Sequence, residues 1–140
     1  MRYIVCFYIS LFFLCGCAVK PDEVICFRNI CLRAEIAQTT AQRKTGLMLR
    51  PSLPAKEGML LIFPEEARHG IWMKNMLFPL DIIWISEDKK VVYIVRSALP
   101  CLRECNAITP EQKTKYALEV NAGFVDKYRI KIGDKVSFRK

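Results

Sequence analysis

The sequence predicts a mainly β fold, a single compact domain of sandwich or barrel type with one or two short helices. Three observations lead there. Short runs rich in Val, Ile, Leu and aromatic residues recur at close spacing, each bounded by Pro, Gly or a charged pair. Helical periodicity is confined to two brief stretches. The length of 140 residues, 52% of them hydrophobic, supports one core and leaves little room for a second domain.

The domain is expected over residues 24–140. Val24 to Gln38 is strand-like, with Arg28 and Asn29 as a hairpin turn in which the asparagine would take a positive φ. Thr39 or Thr40 caps a short helix from Ala41 to about Met48, which Pro51 and Pro54 prevent from continuing. Strands follow at Met59 to Phe63, Gly70 to Met73, Leu80 to Ile85, Val91 to Val95 and Tyr116 to Val120. A second short helix from Phe124 to Tyr128 and a last strand, Lys135 to Phe138, complete the chain.

The N-terminus reads as an address. After Arg2, the apolar run Ile4 to Leu14 has the length of a signal-peptide core and falls short of the ~20 residues a spanning helix needs. It ends in Leu14-Cys15-Gly16-Cys17, which resembles a bacterial lipobox. Residues 1–16 are therefore expected to be cleaved, Cys17 to be acylated, and residues 17–23 to act as a tether. Several acyl chains, at ~0.8 kcal/mol per buried methylene, anchor a protein to a membrane without a transmembrane helix. By resemblance to lipoprotein sorting, Ala18 favours the outer membrane where there are two membranes.

Of the seven cysteines, removal of Cys6 and Cys15 and acylation of Cys17 leave Cys26, Cys31, Cys101 and Cys105 in an exported, oxidising setting. The hairpin places Cys26 opposite Cys31, and Cys101 with Cys105 would close a small loop after Pro100. Their spacing and the compartment both count against a four-cysteine zinc site.

The formal charge of +8 makes the domain basic and suits an anionic membrane surface or acidic polymer. Lys127, Arg129, Lys131, Lys135, Arg139 and Lys140 read as polar strand faces without interleaved stacking aromatics, so nucleic acid is not an expected partner. No glycine cluster forms a phosphate loop, and no cofactor is expected. His69 is the one histidine, which excludes a multi-histidine metal centre. Met48, Met59, Met73 and Met76 could offer soft ligands to cuprous ion with His69, but core filling is the ordinary use of such methionines, and no metal is assigned.

Polar groups inside apolar segments must find partners, which directs attention to Lys74, Asn75 and Asp81, to Arg43 and Arg50, and to Glu119 with Asn121. These seven are the candidate binding residues. Pairing of Lys74 or Arg50 with Asp81 or Glu119 would give them a purely structural use.

Those residues lie in motifs that occur in order: Arg43-x-x-Gly46-Leu47-Met48-x-Arg50, Gly58-Met59-Leu60, Trp72-Met73-Lys74-Asn75, Pro79 to Ile83, Leu118 to Gly123, and Ile132-Gly133-Asp134. In them the chain from about Ala34 to Phe138 resembles the uncharacterised bacterial and archaeal family called domain of unknown function 192. The resemblance implies a small β-sandwich protein, often exported, with a cysteine pair after the residue corresponding to Pro100. It supplies no activity. The chain departs from the family pattern at Met76, where threonine is usual, and at Asn106, where an aromatic often follows the cysteine loop.

The functional expectation is a non-enzymatic envelope module that binds an anionic small molecule, glycan or protein at an edge formed by Arg50, Lys74, Asn75, Asp81 and Glu119. One alternative is a hydrolase or isomerase with Asp81 or Glu119 as general base. Another is a purely structural envelope protein.

Overall fold

The computed structural model describes residues 22–139. The expected signal peptide and Cys17 lie outside the described residues. Seven strands and two short helices follow in the order β1 (Asp22–Phe27), β2 (Ile30–Ala37), α1 (Thr40–Thr45), β3 (Glu57–Ala67), β4 (Leu80–Ile85), β5 (Val91–Ala98), β6 (Thr114–Asn121), α2 (Phe124–Tyr128) and β7 (Ser137–Arg139). The first strand takes up Asp22 and Glu23, which the sequence had assigned to the tether.

The strands form one sheet in the order β5-β4-β6-β3-β2-β1-β7. Its pairings are antiparallel except β2 with β3, which run parallel because α1 and the following loop carry the chain back across. The two edges of the sheet approach each other. Lys90 and Lys135 form an antiparallel bridge, and Val91 donates its N–H to Asp134 O at 2.9 Å. The sheet therefore curls into a barrel-like body, and the edge strands are not left as open templates.

Both faces of the sheet are buried, which is why the strands read as apolar runs rather than clean alternations. Along β4, Ile83 and Ile85 enter an inner cluster with Leu60, Leu118 and Val120. Leu80, Ile82 and Trp84, on the opposite face, join an outer cluster with Leu47, Leu61, Phe63, Ile71 and Met73. Side chains of this size each contribute about 1.5–3 kcal/mol when fully buried. The outer cluster is covered by the loops that carry Leu47, Leu53, Ile71, Met73 and Met76 rather than by strands. The stretch expected to be a strand at Gly70 to Met73 is one such loop. It has a single bridge, Ile71 to Ile108, and is anchored by Trp84 Nε1, which donates to His69 O at 2.9 Å.

Disulfides join Cys26 to Cys31, whose Cα atoms lie 4.1 Å apart across β1 and β2, and Cys101 to Cys105. Among the described non-glycine residues, positive φ occurs at Leu49, Asn75, Lys89, Ser97 and Arg129. Asn29 is not one of them, so the β1–β2 turn does not use the left-handed asparagine expected there.

Candidate functional site

Helix α1 is set by its ends. Thr39 accepts a hydrogen bond from the Gln42 amide while the Gln42 side chain reaches back to the Thr39 amide, a reciprocal cap. Gly46 closes the helix at φ 49° and ψ −129°, a conformation that a Cβ disfavours. Arg43 ties the helix down. Its guanidinium donates to Gln38 O, to Ile62 O at 3.1 Å and to Thr40 Oγ1 at 3.3 Å, and lies 5.7 Å from the centre of the Phe63 ring.

The chain beyond Gly46 runs over Glu119 of β6. A Cβ built on Gly46 would sit 3.5 Å from Glu119 Oε2. Glu119 is 5% exposed, and its Oε2 is buried without a hydrogen-bond partner. Burial pushes this carboxyl up to about 7, and the nearby Arg50 charge pulls the other way. Arg50 does not bond to Glu119, as the sequence had suggested it could. It forms a bidentate pair with Glu35 of β2, through Nη1 to Oε1 and through Nη2 to Oε2 at 2.8 Å. That hydrogen bonding raises the Arg50 pKa further.

Above Glu119 lies a cleft of about 420 Å³ between α1, β3 and the loops at 70–76 and 107–109. Its walls are apolar, with Leu47, Leu61, Phe63, Ile71, Trp72 and Met76. Arg43 and Lys44 stand along the helix side. Gly70 permits the close approach of the two loops, because a Cβ there would fall 2.5 Å from Thr109 Oγ1. His69 stacks on Phe63 with ring centres 3.8 Å apart and donates from Nε2 to Glu65 O at 2.9 Å, so it braces a wall of the cleft.

Of the seven expected residues, Arg43 and Glu119 meet at this cleft and the others do not. Asp81 is fully buried on the opposite face of the sheet. Its Oδ1 accepts the Ser97 amide at 2.9 Å and its Oδ2 accepts the Val125 amide at 2.8 Å, so it pins the end of β5 to the first turn of α2. Both oxygens of Asp81 are thus held by backbone. Asn121 donates to Leu53 O at 2.8 Å and holds the loop after α1. Asn75 acts through its backbone, in a left-handed conformation at φ 55°, donating to Cys101 O and accepting from the Leu49 amide. Lys74 is exposed, lies over the Trp72 ring at 5.7 Å, and pairs with neither Asp81 nor Glu119.

The sequence reading missed Glu35 and the apolar walls. Glu35 carried a signal, since the period of β2 places Leu32, Ala34 and Ile36 on one face and Glu35 on the other. Its pairing with Arg50, 15 residues away, is made by the connection between α1 and β3 returning past β2, which no local pattern announces. Among the described residues, no group of three or more His, Cys, Asp or Glu side chains is placed to hold a metal ion.

The fold and the cleft define a class, a small mainly β domain with an apolar pocket built over a buried carboxyl. The chain belongs to the DUF192 family, described as an uncharacterized ACR, which it matches over residues 24–138. It is similar to a UPF0127 protein of Thermococcus sibiricus, 31% identical over 108 residues, which cover 76% of this chain and 66% of that protein. It thus spans just under two thirds of that relative's length. A solved structure from Sinorhizobium meliloti 1021, described as that of a proposed transcription regulator, superimposes with a TM-score of 0.80 at 31% identity, covering 85% of this chain and 95% of the other. A protein of unknown function from Novosphingobium aromaticivorans DSM 12444 does so with a TM-score of 0.73 at 30% identity, covering 83% of each chain.

Proposed function

We propose that this protein is a lipid-anchored envelope module that binds a small, largely apolar molecule in the cleft over Glu119. The observation that carries the reading is a cleft of about 420 Å³ whose walls are apolar and whose base holds a buried carboxylate oxygen without a partner. Pockets of this size suit a small organic ligand, and a few fixed polar atoms among apolar walls are what orient one. The envelope location is supported by the apolar leader ending at Cys17 and by the two disulfides, which persist in oxidising compartments. An anionic head group has less support than the sequence suggested, because Glu35 already engages Arg50 and Lys74 stands outside the cleft.

The test is fluorescence titration with N-phenyl-1-naphthylamine, an apolar probe that brightens on leaving water. The natural protein is expected to bind it saturably. Ala107→Trp, an exposed position on the cleft wall, is expected to block the probe while leaving the melting temperature unchanged. Equal binding by both proteins would refute the reading.

A further inference from the structure

We propose that the ligand of this cleft carries a protonated amine, which forms a charge-assisted hydrogen bond with Glu119 at the base while its apolar body lies against the walls. The inference rests on the cleft being a binding site and specifies what the ligand must present there.

The geometry leads to a donor. Glu119 Oε2 is buried and unpartnered, and a buried polar atom left without a hydrogen bond is costly enough that folded proteins seldom retain one. A ligand hydrogen-bond donor satisfies it, whereas a ligand carboxylate or phosphate would set acceptor against acceptor once Glu119 is ionised, above about pH 7.

The surrounding charge leads from a donor to a cation. Arg50, the cation that acts on Glu119, is neutralised by its bidentate bond to Glu35 and is also under the influence of Glu57. Around this one guanidinium stand three carboxyl groups, Glu35, Glu57 and Glu119, so its charge is shared among them and Glu119 has no cation of its own. Neither cation of α1 pairs with Glu119. Arg43 is directed to the carbonyls of Gln38 and Ile62, and Lys44 is exposed. At the base of an apolar cleft, an ammonium group both pairs the carboxylate and donates to it. A bound cation also favours ionised Glu119, so an amine arriving below neutral pH expels the carboxyl proton.

The experiment is displacement of N-phenyl-1-naphthylamine by n-octylamine and by 1-octanol, which share one apolar chain and differ in the head group. On the natural protein at pH 8, octylamine is expected to displace the probe at a concentration on the order of tenfold lower than octanol, the advantage of one charge-assisted hydrogen bond. Glu119→Gln keeps the shape and removes the charge, and is expected to erase that advantage. Calorimetry in buffers of different ionisation enthalpy is expected to show release of about 0.9 proton per octylamine bound at pH 6 and about 0.1 at pH 8. Equal potency of amine and alcohol on the natural protein, or an amine advantage that survives in Glu119→Gln, would overturn the head-group inference. Failure of the probe to bind the cleft at all would instead refute the binding reading on which it rests.

Discussion

Glu119 makes the stability of this protein fall as pH rises through neutrality, opposite to the usual behaviour of a paired carboxylate. In the folded chain its carboxyl holds a proton up to about pH 7, against an ordinary value of 4.5, because burial penalises the charged form. The folded state therefore binds this proton more tightly than the unfolded state. Its contribution is complete below 4.5 and is lost as the pH passes through about 7. At about 1.4 kcal/mol per tenfold change, the natural protein loses about 2.5 kcal/mol of stability between pH 5 and pH 8 from this group alone. Glu119→Gln keeps a neutral side chain of the same size and does not titrate. Urea unfolding of both proteins across this range measures the effect, and the difference in their stabilities isolates Glu119 from the other titrating groups. Parallel stability curves for the two proteins would refute the reasoning.

Other outcomes follow from the same contacts. Asp81→Ala removes the acceptor of two backbone N–H groups in a fully buried setting and is expected to cost roughly 3 kcal/mol, with amide exchange accelerated at Ser97 and Val125. Arg50→Ala deletes the charge that pulls the Glu119 carboxyl down, so the midpoint of Glu119 read by carbon NMR is expected to move above its natural position near 7. Replacing Cys101 and Cys105 together by serine opens a short loop and is expected to lower stability by about 2 kcal/mol, with faster proteolysis after Arg103.

Much of the fold was legible because the strands are uniform in chemistry and their boundaries are marked. The Thr39 cap and the hairpin cysteines are local signals, and each operates over a few residues, whereas α1 ends at Gly46, earlier than the Met48 expected from Pro51 and Pro54. Gly70 to Met73 misled because buried apolar side chains under a loop have the same composition as a strand, and only the missing ladder tells them apart. The site residues divide on the same principle. Asp81 and Glu119 each interrupt an apolar strand, and from sequence the two look alike. They differ in the face they occupy and in what approaches it, since the amides of Ser97 and Val125 reach Asp81 and only the turn at Gly46 comes over Glu119. That distinction arises from three segments brought together by the sheet order, so it lies beyond any local pattern. Met76, noted as a departure from the family pattern, proves to line the cleft, where a thioether adds apolar surface in place of a hydroxyl.

The account turns on whether the cleft over Glu119 receives a molecule, and chemical-shift mapping by NMR tests this most directly. On addition of n-octylamine to the domain, the account predicts that the resonances of Gly46, Leu47, Leu61, Ile71, Trp72 and Glu119 move together and saturate, while those of Asp81, Ser97 and Asn121 stay in place. Shifts that never saturate, or that centre on the exposed face around Lys74 and leave Glu119 untouched, would contradict it.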